Sequence, residues 1–312
     1  MIDQQVQSEK LLLSEANHPF VCNLVRTFRN NHSVYMLMEP VLGGELFTHL
    51  RKSGKFKPDK AQFYLAQVAL VFEHLHSKNI IFRDLKPGMP IFSTGLFVFD
   101  LNTWYLTFFF PSSSFLLVLF NEIENLLINS DGFLKMVDFG LAKKCAGRTY
   151  TLCGTPAYAS PEVYAVVGHD KGVDWWTFGV LMHELLAGYT PFVGNEPNQI
   201  FAEITRYSKH YPRVAFPSHF PEPAQSILKD LLHPKPSERL GNLTGGARDV
   251  KRHPYFVNYD FQALLQKQVE APWIPPIEDS YDGSNFRKQN TSFELEIDED
   301  DGSKDGGWAD SF

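Results

Sequence analysis

Cysteine is nearly missing from this chain: Cys22, Cys145 and Cys153 are the only three in 312 residues, and none forms a Cys-x-x-Cys pair. So sparse and odd a set argues against a disulfide framework and a structural zinc site, and fits a reducing, cytoplasmic compartment. The Asn-x-Ser/Thr matches at Asn242 and Asn290 are then read as chance matches. An excess of basic residues is also lacking. With 29 Lys and Arg against 36 Asp and Glu the formal net charge is -7, which argues against nucleic acid as the main partner. No signal peptide is visible, because the first twenty residues mix charged with apolar side chains.

Apolar side chains are plentiful. They make up 44% of the chain, enough for a large core, and exclude wholesale disorder. Acidity is concentrated at the end, where residues 294–310 hold eight carboxylates against one lysine and are expected to be solvated. Residues 101–121 contain no charged side chain and are long enough to cross a bilayer. Asn102, Thr103, Thr107, Pro111 and Ser112 to Ser114 interrupt that run, so the favoured reading is against a membrane partner.

Residues 1–16 are rich in helix formers and stop before Asn17-His18-Pro19. Residues 34–38 read as a buried strand, followed by a turn at Gly43-Gly44. Residues 58–77 open on proline and are apolar nearly all round, which predicts a buried helix; residues 173–187 predict another. Two short strands are expected at 126–128 and 134–137 around Ser130-Asp131-Gly132. From Val257 onward the pattern loosens into a tail.

Phe82-Arg83-Asp84-Leu85-Lys86-Pro87 resembles the catalytic loop of protein kinases with an aromatic residue in place of histidine. Phosphoryl transfer needs a carboxylate that orients the attacking hydroxyl and a cation beside the moving phosphate, and Asp84 and Lys86 suit those roles. Asp138-Phe139-Gly140 and Glu124-Asn125-Leu126-Leu127 supply Asp138 and Asn125 as magnesium ligands. Cys153-Gly154-Thr155-Pro156-Ala157-Tyr158 and Ser160-Pro161-Glu162 resemble the end of an activation segment. Asp174-Trp175-Trp176 resembles the helix beneath it, and Arg239 in Ser237-Glu238-Arg239-Leu240-Gly241 the arginine that pairs with Glu162. Six matches in order make chance a poor explanation.

The resemblance covers nearly the whole chain except residues 88–123, and is closest to the cAMP-dependent and cGMP-dependent kinases of the AGC group. It implies an α+β, two-lobed fold. A remnant of the small lobe would span 1–41, a mostly helical large lobe 42–256 and an extended C-terminal tail 257–312. It implies ATP and magnesium as cofactors, with nucleotide contacts at Glu39, Val41, Glu45, Leu127 and Phe286. Gln289 stands where the family has a tyrosine. Thr151 matches an activation-loop phosphorylation site whose phosphate Arg83 would hold bidentately. Glu9, Thr155, Glu162, Asp174 and Arg239 fall in structural or regulatory positions. Glu45, Glu124 and Glu184 match carboxylates that read basic residues before the phosphorylated Ser or Thr of a protein substrate. Ala157 replaces a usual glutamate and Ser160 a usual alanine. A cyclic-nucleotide-binding regulatory subunit or domain is the implied partner.

Residues 1–312 include neither the family's glycine-rich loop nor its strand lysine, so Glu9 lacks the lysine it would pair with. The expectation is a chain inactive as written, with an unpaired sheet edge. Residues 88–123, 36 in number, separate Asp84 from Asn125, and a structureless loop of that length counts against taking the segment at face value. Residues 108–117 can be encoded wholly by pyrimidine codons, Gly88-Met89 can carry a donor-like GT, and Ile123-Glu124 an acceptor AG in matching phase. The segment therefore reads as translated intron, whose removal joins Pro87 to Glu124 in frame; an apolar docking insert is the alternative.

Overall fold

The computed structural model describes residues 2–29, 33–85, 96–100, 103–108, 116–119, 125–211, 216–279 and 282–286. In chain order the elements begin with α1 (Ile2–Glu15), β1 (Leu24–Arg29), β2 (Ser33–Met38), α2 (Leu46–Ser53), α3 (Pro58–Ser77) and β3 (Ile80–Ile81). Then come β4 (Leu96–Asp100), β5 (Thr103–Phe108), β6 (Leu116–Leu119), β7 (Leu126–Ile128), β8 (Leu134–Met136) and β9 (Lys143–Lys144). The helices α4 (Pro161–Tyr164), α5 (Gly172–Ala187), α6 (Pro197–His210), α7 (Glu222–Leu231), α8 (Ala247–Arg252) and α9 (Phe261–Leu265) follow. They form two compact units, Met1–Leu46 with Gly88–Gly140 and Trp273–Phe312, and Phe47–Pro87 with Leu141–Pro272.

In the first unit α1 buries Val6, Glu9, Leu12 and Leu13 along one stripe, the spacing of a helix with a single core face. It stops as expected, since His18 precedes a proline that disfavours the helical region. The sheet runs β1-β2-β4-β5-β6, antiparallel throughout. Beside β2 lies β4, with Ser33 opposite Asp100 and Leu37 opposite Leu96, which leaves β1 and β6 as the edges of this sheet among the described residues. One expectation is corrected here: residues 88–123 are not a structureless loop, for they contribute three strands. Its β-branched and aromatic residues suit a pleated surface, and strand pairing satisfies backbone groups that a loop would leave open. No helix among the described residues is long and apolar enough to cross a membrane; the charge-free run holds β5 and β6 instead.

The β7–β8 hairpin turns through Asp131, whose Oδ1 accepts from the Phe133 N–H (3.2 Å). It is pinned by Gly43 N–H to Ile128 O and Ile128 N–H to Gly44 O, each 2.8 Å. That approach demands glycine: a β-carbon on Gly43 would stand 2.5 Å from Ile128 O.

The second unit is built on α3 and α5. Every residue from Gly172 to Leu186 is buried, which a helix apolar all round requires. Phe72 meets Trp175 edge-on at 5.6 Å, and Trp175 meets Phe178 at the same distance. Helix α5 ends at Gly188, in the left-handed region at φ 88°, with its N–H donating to Glu184 O. The tail is less loose than the sequence suggests, since α9 follows an Asp260 cap that accepts from the Gln262 and Ala263 N–H groups.

Candidate functional site

In the second unit, Phe82, Arg83 and Asp84 follow β3 as a short extended stretch. Asp174, fully buried on α5, holds it. Its Oδ1 accepts from the Arg83 N–H (2.8 Å), and its Oδ2 from the Phe82 N–H (3.0 Å) and His76 Nε2 (2.7 Å). That grip keeps Arg83 at φ 71°, a conformation most side chains avoid and one that persists only where the surroundings impose it. Asp84 is buried, and its Oδ1 accepts from Thr155 Oγ1 at 3.4 Å. Gly154 passes so near that a β-carbon there would lie 2.9 Å from Arg83 O. Lys86 lies outside the described residues, as does Glu124.

Arg83 Nε donates to Leu141 O (2.7 Å), while its buried Nη1 finds no acceptor among the described residues. An unsatisfied guanidinium N–H is a ready receptor for an anion. Thr151 is exposed. Nearby in sequence, Lys143 Nζ donates to Thr149 Oγ1 (2.9 Å). Glu162 and Arg239, 77 residues apart, form a bidentate buried pair at 2.6 and 2.9 Å, and Arg239 Nη1 also donates to Gly172 O. The guanidinium lies over the Trp176 ring, 5.1 Å from its centroid.

Glu184 is buried, not a solvated surface charge, and accepts from the Tyr158 hydroxyl. Burial pushes its carboxyl up to about 8, against the lowering influence of Arg51.

The first unit carries the other residues. Asn125 precedes β7 and Asp138 follows β8, so the hairpin register sets both at one end, closed by Val137 N–H to Asn125 O (3.0 Å). Asp138 takes φ 62°, and its Oδ1 accepts from the Gly140 N–H at 3.0 Å. Glu9 reaches the same place from α1. The Phe139 N–H donates to its carboxylate, burial and Asp138 push its carboxyl up to about 8, and its Oε2 finds no donor among the described residues.

Val41, Glu45, Leu127 and Phe286 are all buried in this unit, with Glu45 bridged to Leu127. Asn285 Nδ2 donates to Leu42 O (3.1 Å), tying the segment of Phe286 to residues 41–45. The side chain of Glu39 is engaged structurally: its Oε1 accepts from Asn23 N–H (2.8 Å) and Lys135 Nζ (2.5 Å).

Comparison with known proteins gives this arrangement its context. The family model described as protein kinase domain matches residues 1–90 and 122–256. The chain belongs to the protein kinase domain family. It is 40% identical over 283 residues to a cAMP-dependent protein kinase catalytic subunit of Dictyostelium discoideum, covering 91% of this chain and 37% of that protein. It is 38% identical over 284 residues to the human cAMP-dependent protein kinase catalytic subunit PRKX, covering 91% and 68%. To cGMP-dependent protein kinase isozyme 1 of Drosophila melanogaster it is 37% identical over 277 residues, covering 88% and 31%. The chain thus spans between about a third and two thirds of the length of these relatives.

Within this kinase-family chain, an asparagine amide oxygen and a carboxylate are hard donors of the kind magnesium takes. Among the described residues no group of three or more His, Cys, Asp or Glu could hold a metal ion, so Asn125 and Asp138 fit magnesium only if phosphate oxygens complete its shell. Sequence reasoning missed His76, Tyr158 as the partner of Glu184, and Lys135 as the partner of Glu39. A lysine buried in strand β8 was the one available signal, since buried lysines are rare unless paired.

Proposed function

We propose that this chain is the catalytic region of a cytoplasmic serine/threonine kinase that moves the γ-phosphate of ATP to Ser or Thr in basic sequence contexts. The observation that carries the reading is the tether of the Phe82 and Arg83 amides by Asp174, which supports Asp84 as a fixed, buried carboxylate. Asp84 orients the attacking hydroxyl and Lys86 faces the transferring phosphate. Asn125 and Asp138 hold magnesium, which when bound neutralises charge shared by the β- and γ-phosphates. Val41, Leu127 and Phe286 supply apolar surface for adenine, with Glu39 and Glu45 beside them. Thr151 is the phosphorylation site, and the unsatisfied Arg83 Nη1 supports it as the phosphate receptor. Glu45, Glu124 and Glu184 read basic substrate residues. A cyclic-nucleotide-binding subunit or domain regulates the enzyme.

The alternative reading is a non-catalytic kinase fragment in which residues 1–312 act only by binding partners. Incorporation of labelled phosphate into an arginine-rich peptide separates the two. Activity of purified residues 1–312, abolished by Asp84→Ala, would sink the binding-only reading; activity only in a longer product of the same gene supports the catalytic reading for that product. Residues 88–123 are read as translated intron, supported by the family model passing over residues 91–121.

A further inference from the structure

The second unit holds a cleft of about 210 Å³ that no residue given a role in phosphoryl transfer lines. It lies between the end of α3, β3, the segment after β9 and the residues before α5. Arg148 and Lys171 line it as exposed cations, and Asp170 is its one carboxylate among the described residues. Asp170 is already engaged, since its Oδ1 accepts from the Gly172 N–H (2.8 Å) and from Asn242 Nδ2 (3.2 Å). Positive charge is therefore in excess here, in a chain whose formal net charge is -7, and a concave site lined by one sign of charge concentrates ions of the other. The volume is below the roughly 300–1,000 Å³ of a drug-sized pocket, so the ligand that fits is a small one.

One buried side chain links the cleft to the stretch that carries Asp84. His76, a lining residue, stacks on Phe72 (5.6 Å between ring centroids) and meets Trp175 edge-on (5.7 Å), so packing fixes its ring. Its Nε2 is bonded to Asp174 Oδ2 at 2.7 Å, the oxygen that also takes the Phe82 N–H, while Oδ1 takes the Arg83 N–H. We infer that this cleft binds a phosphate monoester group, gripped by Arg148 and Lys171, and that its occupancy is felt at the Phe82 and Arg83 amides through His76 and Asp174. Arginine supplies a planar fork and lysine a compact charge, both of which phosphate oxygens take. An anion set against the imidazole alters how strongly it competes with the two amides for Asp174, because hydrogen bonds that share a group polarise one another.

Titration of glycerol phosphate into isotope-labelled residues 1–312 at constant ionic strength tests this through the amide resonances. The Gly147 and Lys171 amides should shift saturably, and the Phe82 and Arg83 amides should follow the same curve. Arg148→Ala combined with Lys171→Ala, at two exposed positions, should weaken binding by roughly tenfold or more. His76→Phe, which keeps the stacking, should retain the shifts at Gly147 and Lys171 and silence those at Phe82 and Arg83. A phosphoserine peptide in a parallel titration separates the two sources of such a group. Tighter saturation by the ester assigns the cleft to a free metabolite, and tighter saturation by the peptide to a modified side chain of a partner. Shifts that fail to saturate with either, or that the double variant leaves unchanged, overturn the site; Phe82 and Arg83 amides that stay still during saturation overturn the coupling. Phosphorylation is not read in these measurements, so loss of the cleft site would leave the kinase reading standing, and the reverse.

Discussion

Single side chains in this kinase-family chain are held by partners far away in sequence, and substitutions should expose that. Arg239 is fully buried and closes on Glu162 with both guanidinium nitrogens. Arg239→Ala would strand a buried carboxylate, a change that typically costs about 3–5 kcal/mol. Urea unfolding should show the loss, and Arg239→Lys should recover only part of it because a single ammonium cannot pair bidentately. Gly241 sits at φ 87°, and a β-carbon there would stand 2.3 Å from Trp175 Cδ2. Left-handed strain and overpacking together should make Gly241→Ala lose roughly 2–4 kcal/mol in the same assay. Asp174→Asn leaves the size unchanged but weakens the acceptor for two amides and His76. Its expected signature is a fall in phosphorylation by an active, longer gene product, with the melting temperature shifted by only a few degrees.

At the scale of the element, α5 carries two titratable groups whose burial acts in opposite directions with pH. Glu184 is raised to about 8, so the neutral form is the one the fold favours. Its contribution to stability is complete below the ordinary carboxylate pKa near 4.5 and is lost as pH rises through 8. His183, ringed by Tyr189, Phe216 and Phe220, is lowered to about 4 by burial. It folds neutral, so stability falls as pH drops below its ordinary 6.5 and is exhausted near 4. Urea midpoints across pH 4 to 9 should therefore form a dome, and Glu184→Gln should flatten its alkaline limb without touching the acid one. An unchanged alkaline limb would mean that Glu184 is already ionised in the folded chain. The same group should make binding of arginine-rich peptides strengthen as pH approaches 8, because only its charged form attracts a cation.

For the whole molecule, residues 88–123 are the point of decision. If translation retains them, β4 covers β2, and amide exchange across Ser33–Met38 should speed up when the segment is deleted to join Pro87 with Glu124. Unchanged exchange would mean that β4 does not protect β2 in solution. Full-length transcripts are expected to lack the codons for 88–123, as the intron reading requires; abundant transcripts and protein containing them would remove that reading and leave an insert that builds sheet.

The parts legible in the sequence were those encoded locally. Pro58 and the apolar run after it marked α3 to the residue, Ser130-Asp131-Gly132 marked the β7–β8 turn, and the order of short motifs from Asp84 to Arg239 marked the family. Helical periodicity and turn chemistry act over a few residues, which is why such signals survive in the bare chain. Partners were a different matter. That Asp174 grips amides 91 and 92 residues before it, that Tyr158 covers Glu184, and that Glu9 meets Asp138 could not be read from spacing. Nor could the pairing of β4 with β2, since edge complementarity depends on which backbone groups the rest of the fold leaves open. The sequence by itself marked α3, the β7–β8 turn and the motifs that carry the family resemblance; the tertiary structure alone decided the strands of residues 88–123 and which buried charges found partners, because those depend on packing across long separations and not on local pattern.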